Sequence, residues 1–341
     1  MIIRVLVADD SATVRNALVK LLSAEPGLSI VGQAVDGVEA VEKARLLRPD
    51  VITMDVNMPR LDGLGATAAI MRDAPARVLV VCSVSEDRQL DLSFKAMAAG
   101  ALELIAKPAA GAEALRAWGR RVAESVRLMA EVPVVRRYHP GARALPLFSL
   151  EPVEVVGIVA STGGPPALAT MLAKLHDLCA PLLIAQHIAH GFTPGLQRWL
   201  DGVTRLGVVI AQDGETLRAG RVYLAPDGCD LTAGAGGTVR TPASTALHCP
   251  SGNRLLHSLA QQYGGAAAGF VLTGMGDDGA QGLLALQKAG GQTFAQDETS
   301  SVVYGMPQAA WACGAARQQV ALESVAEVLE QLCRSRPARN G

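Results

Sequence analysis

Short runs of β-branched and aliphatic residues alternate along most of this chain with longer stretches in which apolar positions recur every three or four residues. In the first third the apolar runs are Ile3–Ala8, Ile30–Ala34, Val51–Met54, Val78–Cys82 and Leu102–Ala106. Runs this short, apolar on both faces and separated by helical patterns, predict the parallel strands of βαβ units. Between the first two runs Val14, Ala17, Leu18, Leu21 and Leu22 share one helical face, and Asp10 or Ser11 stands where an N-cap is needed. A second series follows at Val153–Val159, Leu182–Ala185, Val208–Ala211, Val222–Ala225 and Phe270–Thr273. The pattern predicts two α/β domains, each a doubly wound parallel sheet.

Residues 119–149 break the alternation. Arg120, Arg121, Arg127, Arg136, Arg137 and Arg143 outnumber Glu124 and Glu131, and Pro133, Pro140, Gly141 and Pro146 interrupt any long helix. This segment is expected to be a linker between a domain at 1–118 and a second at 150–337. A length of 341 residues suits two domains.

With 50% hydrophobic residues, 18% charged residues and a formal net charge of −1, the composition is that of a folded protein. It lacks the basic excess by which nucleic-acid binders neutralise phosphates, and no nucleic-acid partner is expected. Asp9 and Asp10 cut the first apolar run short of a signal-peptide core, and no later run reaches the roughly 20 residues that span a bilayer. The expectation is a cytoplasmic protein without membrane insertion. Cys82, Cys179, Cys229, Cys249, Cys313 and Cys333 contain no C-x-x-C pair, and they read as reduced, mostly buried small hydrophobes.

The candidate chemistry sits at strand ends. Asp9 and Asp10 end the first run, Asp55 ends the third, and Lys107 follows the fifth. In an open parallel sheet the carboxyl ends of the strands face one crevice, so these side chains converge. Carboxylates with a lysine make a hard-oxygen site suited to Mg²⁺ and to a phosphoryl group. "VLVADDSATVR", "DVITMDVNMPRLDGL" and "LIAKP" resemble the receiver domain of two-component response regulators, a flavodoxin-like fold, over residues 1–118. The resemblance implies Asp55 as phosphoacceptor, a Mg²⁺ site formed by Asp9, Asp10, Asp55 and the carbonyl of Asn57, and phosphoryl contacts from Lys107. It places the switch hydroxyl of that family on Ser83, with Cys82 as its neighbour. Leu104 departs from the aromatic residue frequent at its position.

In the second domain "VEVVGIVASTGGPPAL" carries a strand into Ser161, then a glycine-rich turn and two prolines at a helix start. Ser161 is either a nucleophile exposed at a strand end or a cap of an anion-binding turn. Val159 stands where the G-x-S-x-G elbow would have its first glycine. His187, at the end of "PLLIAQ", is a candidate base, and Asp277 or Asp278, in "FVLTGMGDDGAQG", a candidate acid. His190 forms an H-x-x-H pair with His187, but no third ligand of matching spacing follows, which argues against zinc.

"ASTGGPPAL", "AQHIAHGFTPGL", "GRVYLAPDG", "VLTGMGDDGAQG" and "AQDETSSVVYGMPQAA" resemble the catalytic domain of chemotaxis protein-glutamate methylesterases. That resemblance implies a catalytic triad of Ser161, His187 and Asp278, the last because the motif's aspartate directly precedes Gly279. It also implies Thr162 beside the nucleophile and the amide of Met275 as oxyanion donor. Asp230 and Asn253 depart from the histidine and aspartate usual at those places. The expected function is a phosphorylation-regulated serine hydrolase that demethylates glutamate methyl esters and deamidates glutamines on methyl-accepting chemotaxis receptors. A chemotaxis histidine kinase is the expected phosphodonor, and hydrolysis needs no cofactor. Two rivals are a DNA-binding regulator, for which no helix-turn-helix pattern is found, and a catalytically idle docking module.

Overall fold

The computed structural model describes residues 2–83, 87–108, 111–132, 150–246 and 248–333. The chain divides into two compact units, Met1–Tyr138 and His139–Gly341.

In the first unit β1 (Ile3–Ala8), β2 (Leu28–Ala34), β3 (Val51–Met54), β4 (Arg77–Cys82) and β5 (Glu103–Ala106) form one parallel sheet in the order β2-β1-β3-β4-β5. The helices are α1 (Ala12–Ser23), α2 (Gly37–Leu47), α3 (Gly63–Asp73), α4 (Asp87–Ala98) and α5 (Ala112–Glu131). Ser11, Asp36 and Asp62 cap α1, α2 and α3 by accepting amides of the first helical turn. The strand order reverses between β1 and β3, so a crevice opens there at the carboxyl ends.

The linker expected from residue 119 is corrected at its start, because α5 runs on to Glu131. Trp118, Val122, Val126 and Met129 recur at helical spacing and are buried, which pins this stretch to the domain. Its arginines lie on the outer face of that helix, and Arg127 pairs with Glu25 at 2.7 Å. Arg136, Arg137 and Arg143, with the prolines of that segment, lie outside the described residues.

The second unit contains β6 (Val155–Ala160), α6 (Gly164–Leu172), β7 (Leu182–Gln186), α7 (Thr193–Asp201), β8 (Gly207–Ile210) and β9 (Arg221–Leu224). A short antiparallel hairpin of β10 (Thr232–Gly234) and β11 (Thr238–Arg240) follows. Then come α8 (Gly252–Gln262), β12 (Ala267–Val271), α9 (Ala280–Lys288), β13 (Gln292–Gln296), α10 (Met306–Ala312), β14 (Gln318–Val320) and α11 (Leu322–Leu332). Seven strands make a parallel sheet in the order β14-β13-β12-β6-β7-β9-β8. The chain runs outward from β6 through β7, then returns to the other side of β6 at β12. The reversal again falls at the central strands, and β6 ends in Ser161. Helix α8 packs closely on β6: a Cβ on Gly157 would lie 2.6 Å from Leu259.

Candidate active site

The first site collects Asp9 and Asp10 after β1, Asp55 after β3 and Lys107 after β5. One carboxylate oxygen from each of Asp9, Asp10 and Asp55 lies within 4.8 Å of the others. Lys107 Nζ bridges Asp9 Oδ2 at 2.9 Å and Asp55 Oδ1 at 2.8 Å. Burial pushes the Asp55 carboxyl up to about 6 against the attraction of Lys107, and it raises Asp9 for the same reason. Burial alone would lower the Lys107 ammonium, but the two carboxylates outweigh it and raise it. Three carboxylates against one ammonium leave the pocket short of positive charge, which is the donor set of a hard divalent cation. Asn57, two residues past Asp55, is exposed.

Ser83 follows β4 and is half-buried, and no bond joins its hydroxyl to Asp55 or Lys107 among the described residues. Successive strand residues face opposite ways. It is the buried thiol of Cys82 that lies in the field of Asp55 and Lys107, in hydrogen-bond contact with Ser93. Burial pushes this thiol up to about 11. The charges of Asp55 and Lys107 thus reach the Cys82 thiol, next to the residue expected as the switch hydroxyl. Leu104 is buried in β5.

The second site spans three adjacent strand ends. Ser161 leaves β6, His187 leaves β7 on one side, and Asp278 follows β12 on the other. Ala160 pairs with Gln186, so Ser161 and His187 are next in register, and His187 N donates to Ala160 O at 2.9 Å. The chain turns sharply after Ser161: Gly164 N donates to Ser161 O at 2.8 Å, and Gly163 holds φ at 76°. A side chain at Gly164 would stand 2.1 Å from Gln186 Oε1, so only glycine admits this turn.

His187 Nε2 lies 2.8 Å from Asp278 Oδ2. Asp278 also accepts Gly252 N at 2.6 Å, Asn253 N at 3.0 Å and Ser251 Oγ at 3.3 Å, all from the start of α8. Burial works against its charge, but His187 and these amides outweigh burial and hold the carboxyl below the usual range. Asp277 is exposed, so the ambiguity between the two aspartates resolves to Asp278 in geometry. Among the described residues no hydrogen bond joins Ser161 Oγ to His187, and His190 is exposed.

Thr162 is buried, and its carbonyl accepts Thr273 Oγ1 at 2.9 Å. Met275 is 55% exposed. The backbone before it is pressed against the nucleophile: a Cβ on Gly274 would lie 2.6 Å from Ser161 Cβ.

Two further residues of this site are not among those the sequence points to. Gln186 is buried, and its Nε2 donates at 2.9 Å to the carbonyls of both Ser161 and His187. His248 stacks on His187 with ring centroids 5.0 Å apart and planes 10° from parallel. Gln186 falls within the run "AQHIAHGFTPGL", directly before His187, but nothing in that run marks it as a donor to both turns, and His248 belongs to none of the runs. The departures find local partners: Asn253 Oδ1 accepts Gly282 N at 2.8 Å, and buried Asp230 pairs with Arg254 at 2.5 Å.

Residues 5–118 match the family model of the response regulator receiver domain, and residues 156–329 match that of the CheB methylesterase. A protein-glutamate methylesterase/protein-glutamine glutaminase of Myxococcus xanthus is 56% identical over 99% of this chain and 96% of that one. One of Anaeromyxobacter dehalogenans is 44% identical over 96% of this chain and 98% of that one. The solved catalytic domain of Thermotoga maritima CheB methylesterase is 33% identical and superposes with a TM-score of 0.51 over 53% of this chain and 98% of that one. With its parallel-sheet units, its strand-end serine and these matches, the chain belongs to the CheB methylesterase family, carrying a response regulator receiver domain ahead of the hydrolase.

Proposed function

We propose that this protein is a phosphorylation-regulated serine hydrolase that cleaves the γ-methyl esters of glutamates, and deamidates glutamines, on methyl-accepting chemotaxis receptors. The observation that carries this reading is the alignment of Ser161, His187 and Asp278 on three neighbouring strand ends, with His187 Nε2 held by Asp278 at 2.8 Å. Asp278 occupies Nε2, which leaves Nδ1 as the nitrogen that takes the Ser161 proton. Ser161 Oγ attacks the ester carbonyl, and His187 returns the proton to the departing methoxide, releasing methanol. Water, deprotonated by the same histidine, then hydrolyses the acyl-enzyme to the glutamate carboxylate. With a glutamine side chain the leaving group is ammonia. Asp278 stabilises the imidazolium in both halves. The oxyanion would be met by the amide of Met275, whose N–H has no partner among the described residues, while Thr162 borders the nucleophile.

In the receiver Asp55 is the acceptor carboxylate, and Asp9, Asp10, Asp55 and the Asn57 carbonyl would hold Mg²⁺. That ion, when bound, neutralises phosphoryl charge. Lys107, already paired with Asp55, is placed to contact the phosphoryl oxygens. The donor is a chemotaxis histidine kinase. A cytoplasmic location fits this role, and no described helix is long and apolar enough to cross a membrane.

The test is methanol release from methylated receptor membranes, with and without acetyl phosphate. Release that disappears in Ser161→Ala and rises with phosphodonor supports the proposal. A purified protein that neither releases methanol nor labels with a fluorophosphonate at Ser161 would mean a docking module instead.

A further inference from the structure

The cysteines, read from the chain as reduced, mostly buried small hydrophobes, are free, but only Cys82 is buried, and two of the others meet. Cys179 stands before β7, and Cys333 directly follows α11, 154 positions later. Cys179 N donates to Cys333 Sγ at 3.2 Å, and Cys179 Sγ donates to Cys333 O at 3.0 Å. Each sulfur thus touches the backbone of the other residue, which requires the two thiols to lie side by side. Both are free, Cys179 exposed and Cys333 half-buried. Their surroundings matter to the hydrolase. Val153 N donates to Leu332 O at 3.1 Å, so the end of α11 also ties down the lead into β6. The Cys179–Cys333 contact therefore sits where α11 fastens the amino ends of β6 and β7, the strands whose carboxyl ends bear Ser161 and His187.

We infer that Cys179 and Cys333 form a reversible redox pair, in which a peroxide closes a disulfide that staples α11 to the root of the β6–β7 pair. The exposed Cys179 meets the oxidant. Its sulfur attacks one peroxide oxygen, giving a sulfenic acid and one water. The Cys333 sulfur then attacks the Cys179 sulfur, the S–O bond breaks, and the hydroxide leaves as a second water with the Cys333 proton. Two thiols lose two electrons and two protons, and hydrogen peroxide is reduced to two waters. Burial pushes the Cys333 thiol up, so it meets the oxidant less readily than exposed Cys179, and it resolves the sulfenic acid because the contact holds its sulfur beside Cys179 as its proton is lost. A dithiol reductant reverses the bond by exchange. Cross-linking restricts the unfolded chain, so the oxidised protein is the more stable form.

The full-length protein, reduced and freed of reductant, is treated with hydrogen peroxide, alkylated under denaturing conditions and mapped by mass spectrometry. The expected result is two fewer alkylated cysteines, a Cys179–Cys333 cross-linked peptide about 2 Da lighter than its reduced parts, and reversal by dithiothreitol. The thermal midpoint should rise by about 5–10 °C on oxidation, and that rise should vanish in Cys179→Ser and Cys333→Ser. In Cys333→Ser, Cys179 should instead gain about 16 or 32 Da as sulfenic or sulfinic acid. Wild-type mapping decides the case even if a variant fails to fold. The inference is overturned if Cys179 goes to sulfinic acid in the wild type, if the cross-link joins other cysteines, or if oxidation lowers the midpoint.

Discussion

Gln186 donates through one side-chain nitrogen to the carbonyl of Ser161 and to that of His187, each at 2.9 Å, so a single buried amide ties the nucleophile's turn to the turn that bears the base. Replacing it with methionine keeps volume and removes both donors, leaving two carbonyls without these partners. Gln186→Met should lower kcat for methanol release by about 10-fold or more while KM moves little, because the loss falls on alignment and not on substrate contact. Gln186→Glu should be worse at pH 8 than at pH 5.5, since only the protonated acid can donate. Equal kcat for wild type and both variants would remove Gln186 from the positioning machinery.

Asp278 and its neighbour offer a sharper contrast. Asp278→Asn keeps the shape of the side chain but loses the charge that balances the imidazolium, and a drop of about 10⁴ in kcat is expected. Asp277→Asn, at an exposed position, should change kcat less than twofold. Steady-state methanol release from both variants tests the pair, and reversal of the two effects would place the acid on Asp277.

Gly274 allows the backbone before Met275 to approach the nucleophile. In Gly274→Ala the new methyl would stand 2.6 Å from Ser161 Cβ and 2.3 Å from Met306 Sδ. Met306 is fully buried, so neither it nor the serine can yield without a shift of its surroundings. Fluorophosphonate labelling of Ser161 should slow by 10-fold or more while circular dichroism shows a folded protein, an amount corresponding to about 1.4 kcal/mol of barrier. Labelling at the wild-type rate would show that this turn has slack.

Asp55 brings a pH dependence whose sign follows from its burial. Its carboxyl is raised to about 6 from an ordinary 3.8, so the folded protein holds this proton more tightly than the unfolded chain. Ionisation of Asp55 therefore lowers stability as pH rises through about 6. In Mg²⁺-free buffer Asp55→Asn should raise the thermal midpoint at pH 8 and leave it nearly unchanged at pH 4. The variant should take up no acid-labile phosphate from acetyl phosphate. In the wild type that uptake should need Mg²⁺, whose charge favours the ionised acceptor. A midpoint difference that grows toward acid would contradict the burial argument.

The strands of the first domain, β6, β7, β8, β9 and β12 of the second, the position of Asp55 and the serine on its turn are legible because apolar runs and strand-end polar residues are local signals. The first five runs match β1 to β5 closely, although β2 begins at Leu28 and not at Ile30. β13 and β14 escape because glutamines break their apolar pattern, and the hairpin β10–β11 because its strands are three residues long; only pairing makes them strands. The tail of α5 escaped because its arginines read as solvated linker, whereas Trp118, Val122, Val126 and Met129 bury the opposite face.

The chain by itself determined which residue types stand at the strand ends, since covalent order and hydrophobic period decide where a parallel strand stops. It determined that carboxylates and a lysine converge in one domain and a serine, a histidine and an aspartate in the other. Only the tertiary structure decided between Asp277 and Asp278 and brought Cys179 to Cys333. Those choices depend on burial, side-chain direction and contacts between residues far apart in sequence. Such contacts exist only after the sheets have set their strand order.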